Sequence, residues 1–145
     1  MTTSATQTPT TTELAPYLFL YGRCDEALAF YQGVFGGTYD VQRYSDGPMA
    51  DQVSPDFRDK VMHAHFHSPG VSFMAADGRE AKAVDPDAGN VSLALTTVES
   101  AETDRLFNAL AQGGEIAVPL VEIFFGSRFG MLSDRFGTQW MIVGP

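Results

Sequence analysis

The sequence predicts an α+β fold in which two similar βαβββ modules each contribute four strands to an open, eight-stranded barrel with a cleft. Three observations support this prediction. The order of one strand, one helix and three strands occurs twice, each predicted helix ends at a Gly-Gly pair, and the halves align at an offset of roughly 76 residues. With 145 residues, 44% of them hydrophobic, the chain can bury a core.

The first module follows a Thr-rich segment at 1–13, which has too few apolar residues to fold and is predicted to be a flexible leader. Strands are predicted from apolar runs or strict alternation, and the helix from apolar residues at helical spacing. These elements are a strand at 15–21, a helix closed by Gly36-Gly37, and strands at 39–44, 61–67 and 71–76. A polar loop separates the second strand from the third.

The second module repeats this order after a connecting loop at 77–89. Its elements are a strand at 91–96, a helix at 101–110 closed by Gly113-Gly114, and strands at 116–124, 128–132 and 138–143. The modules, 14–78 and 90–143, are expected to form a single domain over 14–145. Each sheet carries one helix on its outer face, which leaves the inner face for the cleft.

Composition argues against several classes of partner. The formal net charge of −9 disfavours nucleic acid and anionic membrane surfaces, since phosphate binding needs clustered Lys and Arg. No stretch approaches the roughly 20 apolar residues of a membrane span, and no secretory signal pattern is present. The single cysteine, Cys24, agrees with a reducing compartment, and we expect a cytoplasmic protein.

Four stretches of the sequence resemble one known family. They are YLFLYGRCDEALAFYQGVFGG, DKVMHA, GNVSLALTT and, the most specific, PLVEIFFGSRFGMLSDRFGTQWMI. They are similar to the PhnB-like branch of the vicinal oxygen chelate superfamily, which also contains glyoxalases, extradiol dioxygenases and bleomycin-resistance proteins. The resemblance covers the chain from Leu14 to Val143. It implies paired βαβββ modules and commonly a homodimer, with either metal catalysis or small-molecule binding.

The resemblance also implies where a metal site would lie. Metal-dependent members are similar in placing His or Glu on the first, fourth, fifth and eighth strands. The corresponding positions here are Pro16 or Tyr17, Met74 or Ala75, Asn90, and Met141. None is a standard ligand of a catalytic divalent ion, so we assign no metal and no cofactor. Some PhnB-like proteins are described as methyltransferases, but no glycine-rich nucleotide loop follows a strand here, and we do not expect that activity.

All three histidines lie on the third predicted strand, at His63, His65 and His67. Period-two alternation puts them on one face with Val61, while the apolar residues between them should pack under the helix. A His-x-His pair can hold a metal ion, so His63 and His65 with Glu122 form an alternative divalent-metal site. Otherwise they are polar residues of the cleft or surface, with His63 the candidate general base.

Glu122 lies in the family-like segment PLVEIFFG, between two apolar neighbours. A carboxylate in that pattern either faces water or stands in a low-dielectric cleft, where it can serve as a general base or a ligand. His63 and Glu122 are therefore the candidate catalytic residues.

Five further residues are candidates for ligand binding. Asn90 should line the cleft, because the residues that alternate with it are apolar; alternatively, it caps the entry to the strand. Arg128 would select a carboxylate or phosphate group, unless it pairs with a nearby acid. Tyr21 and Trp140 would favour planar or apolar ligands if they line the cleft, and His65 completes the set.

Two functions remain open from the sequence. The first is a protein that binds a small organic molecule in the cleft, with aromatic residues, Asn90 and Arg128 holding the ligand. The second is an enzyme of the isomerase, lyase or hydrolase type that uses His63 and Glu122 as an acid–base pair or as ligands to a divalent ion. A third interpretation is structural, with the dimer as an interaction module whose cleft is filled.

Overall fold

The structure, a computed structural model, describes residues 11–124 and 126–145. Residues 1–10 of the leader predicted at 1–13 therefore lie outside the described residues. The chain divides into two compact units, with the boundary between Ala83 and Val84. Each unit contains the predicted order of one strand, one helix and three strands. No helix within the described ranges is long and apolar enough to cross a membrane.

The first unit is a mixed four-stranded sheet with one helix. Its elements are β1 (Tyr17–Phe19), α1 (Cys24–Phe35), β2 (Thr38–Arg43), β3 (Val61–Ser68) and β4 (Val71–Ala76). The strand order is β1-β4-β3-β2, with β1 parallel to β4 and the other pairs antiparallel. The last strand returns beside the first, so the unit is a complete βαβββ module.

Aromatic side chains hold α1 against one face of this sheet. Tyr31 is fully buried and packs edge-on against Phe73, with 5.5 Å between ring centroids. Phe66 stacks on Phe73 at 4.9 Å, and Phe35 approaches Phe66 edge-on at 6.3 Å. Full burial of a side chain of this size contributes about 1.5–3 kcal/mol. The prediction that the apolar face of β3 packs under the helix is confirmed for Ala64 and Phe66. Met62, which alternation placed with them, packs instead against residues between β2 and β3.

The N-terminus of α1 is capped by a residue that is distant in sequence. Asp77, directly after β4, is fully buried, and its Oδ1 accepts hydrogen bonds from the backbone N–H groups of Gly22 and Cys24, both at 2.8 Å. Its Oδ2 accepts a hydrogen bond from the N–H of Val61 at 2.9 Å. One carboxylate therefore ties the end of β4 to the start of the helix and to the start of β3.

The start of β3 departs from strict alternation. Its register with β2 shifts, so that Gln42 pairs with His63 while Arg43 pairs with Val61. Val61 is fully buried, whereas His63 is half-buried. The prediction that Val61 shares the histidine face is wrong, because this bulge turns its side chain into the core.

The segment between β2 and β3 has a small core of its own. It contains three short 3₁₀ helices, at Tyr44–Asp46, Ala50–Gln52 and Pro55–Phe57. Its buried cluster consists of Tyr44, Val53 and Phe57, with Met49 and Met62 packed against it. The sequence predicted only a polar loop here, because these apolar residues follow neither a helical nor a strand period.

The second unit repeats the topology of the first. Its elements are β5 (Leu93–Thr96), α2 (Ser100–Ala111), β6 (Glu115–Phe124), β7 (Ser127–Ser133) and β8 (Gln139–Gly144). The strand order is β5-β8-β7-β6, with β5 parallel to β8. The predicted first strand began at Val91, which is instead 73% exposed. Val91 lies before the sheet begins. Its partner in register would precede Gln139, the first residue of β8, so Val91 has no strand residue to pair with.

The helix α2 packs on one face of the second sheet. Leu106, Phe107 and Leu110 are buried on the helix, and Leu132 and Ile142 on the sheet. The ring of Phe107 lies so close to Gly130 that a Cβ atom there would collide with it. Glycine at position 130 therefore permits the close approach of helix and strand.

Candidate functional site

The face of the first sheet that points away from α1, termed here the distal face, carries several polar and aromatic side chains. Strand register places on it Tyr17, Phe19, Asp40, Gln42, His63, His65, His67, Ser72 and Met74. Alternation separates them from residues such as Phe66 and Phe73, which face the helix. The three histidines share one face, as their spacing predicts.

Tyr17 and His63 contact each other on the distal face. The Tyr17 hydroxyl oxygen lies 3.0 Å from Nδ1 of His63, and the ring centroids are 5.7 Å apart. Burial raises the pKa of Tyr17, and Cys24 and Tyr44 act in the same direction. The phenol is therefore un-ionised at neutral pH and can donate its hydrogen to Nδ1, or accept one from it, according to the tautomer of the imidazole. Such a pair can bind a hydroxyl or carbonyl group, or transfer a proton.

An aromatic row, consisting of Tyr17, Phe19 and Tyr21, runs along β1 and the turn after it. The ring centroids of Tyr17 and Phe19 are 5.1 Å apart, and those of Phe19 and Tyr21 are 6.2 Å apart. Tyr17 is 38% exposed and Phe19 is 51% exposed. Tyr21 has a φ of 48°, which is uncommon for a residue with a bulky side chain. The sequence singled out Tyr21, but not Phe19.

His65 lies on the same face in a different environment. Its Nε2 is 3.2 Å from the Ser72 hydroxyl oxygen, and it pairs in register with Asp40. Burial lowers the pKa of His65, Asp40 opposes this effect, and His63 and His67 add to it. His65 is therefore neutral at physiological pH, whereas His67 is exposed at the far end of the strand.

The corresponding face of the second sheet has no such chemistry. In each unit the first strand pairs in parallel with the last, and this register makes Ala94 the counterpart of Tyr17 and Phe129 the counterpart of His63. The face that points away from α2 carries Ala94, Val118, Val121, Phe129, Met131, Met141 and Val143. Its centre is apolar, and the polar side chains Thr96, Ser133 and Gln139 lie at its ends. Among the described residues of this face there is no histidine or tyrosine, so a pair like Tyr17–His63 occurs in the first unit alone.

Two residues predicted to bind ligand have structural partners in the second unit. Trp140 is 2% exposed, and its Nε1 donates a hydrogen bond to Oδ2 of Asp134 at 2.9 Å. Arg128 forms an ion pair with Asp104 of α2 at 2.7 Å and donates to the Ser100 hydroxyl oxygen at 3.1 Å. Register places Trp140 and Arg128 on the face that packs against α2. We therefore leave both out of the candidate site.

Glu122 and Asn90 are exposed residues of the second unit. Glu122 lies on β6, at the edge of the sheet, opposite Arg128 in register. Asn90 precedes β5 and does not take part in the strand face that the prediction assigned to it. The β5 residue that corresponds to Tyr17 is Ala94. Asn90 was assigned to this position from the sequence because the strand was predicted to begin at Val91, two residues before β5 begins. A catalytic role of Glu122 stays a prediction.

The residues at the implied metal positions do not fit a divalent ion. Tyr17 pairs in register with Met74, and Ala94 with Met141. An un-ionised phenol, two thioethers and a methyl group are not ligands of a catalytic divalent ion. Within 11–124 and 126–145, no group of three or more His, Cys, Asp and Glu side chains is arranged to hold one. The alternative site, which would add Glu122 to His63 and His65, stays a prediction.

Two βαβββ units with these strand orders define the class of protein, which has the fold of the glyoxalase, bleomycin resistance and dioxygenase proteins. A solved structure from Nocardioides, described as a glyoxalase/bleomycin resistance protein/dioxygenase, matches with a TM-score of 0.55 at 17% identity. The match covers 97% of this chain and 87% of that chain. The predicted α+β fold class is confirmed.

Within that class, the chain belongs to the family described as 3-demethylubiquinone-9 3-methyltransferase, whose model matches residues 12–143. Protein YjdN of Escherichia coli K12 is 30% identical over 139 residues, which are 89% of this chain and 92% of YjdN. The crystal structure of PA1353 from Pseudomonas aeruginosa has a TM-score of 0.78 at 34% identity, covering 92% of this chain and 98% of that chain. A PhnB protein from Bacillus cereus has a TM-score of 0.70 at 28% identity, covering 92% and 100%. The predicted PhnB-like resemblance is confirmed.

Proposed function

We propose that the chain binds a small organic molecule, and that the ligand lies on the distal face of the first sheet. The observation that carries the proposal is the hydrogen bond between Tyr17 and His63 beside the aromatic row. Small-molecule sites combine aromatic and apolar walls with a few polar groups that fix the ligand's orientation. The aromatic row supplies the walls and the Tyr17–His63 pair supplies the polar groups.

These side chains favour a planar ligand with at least one polar substituent. An aromatic pair contributes about 0.5–1.5 kcal/mol beyond the burial of its area. Met74, next to Tyr17 in register, adds an apolar side chain that adapts its shape to a ligand. The Tyr17–His63 pair then forms a hydrogen bond with a hydroxyl or carbonyl group at the ring edge. A fused two-ring alcohol has these features.

Calorimetry with 2-naphthol tests this proposal, with 2-methoxynaphthalene as the probe that lacks the hydroxyl hydrogen. We expect 2-naphthol to bind more tightly. Phe19→Ala should weaken both probes about tenfold, because it removes the central ring of the row. Tyr17→Phe should weaken 2-naphthol about three- to tenfold and change 2-methoxynaphthalene little, because a hydrogen bond contributes about 0.5–1.5 kcal/mol net.

The matched control is His67→Ala. It changes an exposed histidine that lies on β3 with His63 but belongs neither to the aromatic row nor to the Tyr17–His63 pair. Its affinity for 2-naphthol should equal that of the wild type. The proposal fails if the wild type does not bind 2-naphthol at millimolar concentration. It also fails if Phe19→Ala and Tyr17→Phe bind as tightly as the control.

The same hydrogen bond favours a second candidate function, an enzyme in which Tyr17 and His63 form an acid–base pair. An imidazole held at Nδ1 by a phenol can take up or release a proton at Nε2. The exchange of the α-hydrogens of 2-tetralone in D₂O, followed by NMR, separates the two functions. Exchange accelerated by the wild type and lost in His63→Gln supports an enzyme, whereas binding without acceleration supports a binding protein.

We do not propose the methyltransferase activity that appears in the family's description. Methyl donors of the nucleoside type bind to open parallel sheets, at a glycine-rich turn before a helix. In the described part of this chain both sheets are mixed, and the turn between β1 and α1 is filled by the carboxylate of Asp77, which binds the N–H groups of Gly22 and Cys24. These residues do not fit such a cofactor.

We further propose that the chain forms a homodimer and resides in the cytoplasm. The edge strand β6 carries exposed apolar side chains that a second copy would cover: Ile116, Val121, Ile123 and Phe124. Light scattering at micromolar concentration should give twice the monomer mass, and Ile123→Lys should lower the measured mass.

The single cysteine, buried and unpaired, supports a reducing compartment such as the cytoplasm. Cell fractionation tests the cytoplasmic location.

A further inference from the structure

Some of the positively charged side chains of this acidic chain form ion pairs with carboxylates, and others do not. The formal net charge is −9, with nine Lys and Arg residues. Five arginines form ion pairs with acids: Arg23, Arg43, Arg58, Arg105 and Arg128. In the described part of the first unit, Lys60, Arg79 and Lys82 form no ion pair with a carboxylate. Arg79 and Lys82 are exposed and available to an anion that is not part of the chain, whereas Lys60 is half-buried and acts on the Asp25 carboxylate.

All three lie around the turn at Tyr21 and Gly22, where the aromatic row ends. The Nζ of Lys82 is 4.5 Å from the centroid of the Tyr21 ring. The Nζ of Lys60 donates a hydrogen bond to the carbonyl oxygen of Gly22 at 2.9 Å. Arg79 follows Gly78, and a Cβ atom added to Gly78 would lie 3.5 Å from the Tyr21 ring.

The position of Lys82 is the most informative of the three. An ammonium group over a tyrosine ring is attracted by the ring's negative face. The side chain of Lys82 is exposed, so its charge stays accessible to a ligand. Glu80 belongs to the same loop, but among the described residues it forms no ion pair with Lys82 or Arg79. A ligand stacked on the aromatic row would therefore meet the Lys82 ammonium next to Tyr21, at the opposite end of the row from the Tyr17–His63 pair.

We propose that the ligand of the distal face is a planar aromatic anion, with its ring on the aromatic row and its carboxylate or phosphate group bound by Lys82. This inference rests on the proposed function and names the ligand class of the same site. A charge-assisted hydrogen bond is roughly twice as strong as a neutral one. In a chain with a net negative charge, a local cation is also what allows an anion to approach.

Calorimetry at pH 7.5 with 2-naphthoate and its neutral isostere 2-naphthamide tests the inference. We expect 2-naphthoate to bind at least about tenfold more tightly than 2-naphthamide at low salt, and the preference to shrink as salt rises, because an exposed charge pair is screened. Lys82→Met keeps the length of the side chain and removes the charge. It should reduce the preference to about threefold or less and leave 2-naphthamide unchanged, whereas Lys82→Arg should keep the preference.

Arg58→Gln is the control, because Arg58 carries the same charge but pairs with Asp51 in another loop. It should bind both probes as the wild type does. Equal affinity for 2-naphthoate and 2-naphthamide, or a preference unchanged in Lys82→Met, overturns the inference and leaves the proposed function standing. If 2-naphthol also fails to bind, the proposed function itself is wrong. Tighter binding of 2-naphthyl phosphate than of 2-naphthoate assigns the anion as a phosphate, and the reverse order assigns a carboxylate; both support the inference.

Discussion

The hydroxyl oxygen of Tyr17 lies 3.0 Å from Nδ1 of His63, although the two residues are 46 positions apart in sequence. Their strands, β1 and β3, are both neighbours of β4 in the sheet. The contact therefore exists only once the βαβββ module is complete, because β4 is the last strand of the module to be made. A site at this pair is linked to the folding of the whole first unit.

We expect Tyr17 to ionise at higher pH than an ordinary tyrosine, because burial raises its pKa and the nearby Cys24 and Tyr44 add to the effect. A spectrophotometric titration at alkaline pH should show a late-titrating phenol that is missing in Tyr17→Phe. Because the pKa of Tyr17 is higher in the folded chain than in the unfolded chain, the un-ionised phenol stabilises the folded state. This stabilisation is fully present below the unfolded pKa of 10.0 and is lost as pH rises through the folded pKa. If the titration curves of wild type and variant differ by one ordinary tyrosine, the partial burial of the Tyr17 hydroxyl does not raise its pKa and the prediction is wrong.

The sequence identified one member of the Tyr17–His63 pair and missed the role of the other. His63 follows from local alternation in β3, which needs only neighbouring residues. Tyr17 entered the sequence analysis only as a position where a metal ligand is missing, because its contact with His63 depends on the order of the strands in the sheet. Local pattern cannot supply that order.

Trp140 shows a different limit of the sequence. Along β8, Trp140 and Ile142 alternate with Met141 and Val143, so both faces of the strand are apolar. Periodicity alone therefore cannot tell which set packs under α2. The structure resolves this through Asp134, which accepts the hydrogen bond of the indole.

His65 should make stability depend on pH in the mildly acidic range. Burial lowers its pKa below the usual value of 6.5, with His63 and His67 adding to the effect and Asp40 opposing it. The unfolded chain therefore binds a proton more readily than the folded one, so the stability present above the unfolded pKa is lost as pH falls below it. The drop in Tm between pH 7 and pH 5 should be smaller in His65→Gln than in the wild type. His67→Gln removes only one of the smaller contributions to the shift, so its drop should lie between those of the wild type and His65→Gln. An equal drop in all three proteins would contradict the prediction.

Asp77→Asn should destabilise the first unit by about 2–3 kcal/mol, because a fully buried carboxylate accepts three backbone hydrogen bonds. The amide oxygen of Asn can still accept from Gly22 and Cys24, but the NH₂ group then faces the N–H of Val61. Unfolding in urea measures the change. Asp85→Asn is the control: its exposed carboxylate accepts one hydrogen bond, from the N–H of Asp87 at 2.9 Å, and a surface change of this kind costs within about 0.5 kcal/mol. Equal costs for the two variants would mean that Asp77 does not hold the three segments together.

Trp140→Phe should lower stability without affecting the distal face. The substitution removes the hydrogen bond to Asp134 and leaves part of the indole volume empty, which together cost about 2–4 kcal/mol in a core. Urea unfolding should detect this loss, while calorimetry should give a wild-type affinity for 2-naphthol in the folded variant. Trp140 was a candidate ligand-binding residue from sequence, so the two measurements decide between core and site. A folded Trp140→Phe protein with about tenfold weaker binding would return Trp140 to the ligand site, because a loss of that size is comparable to removing an aromatic contact.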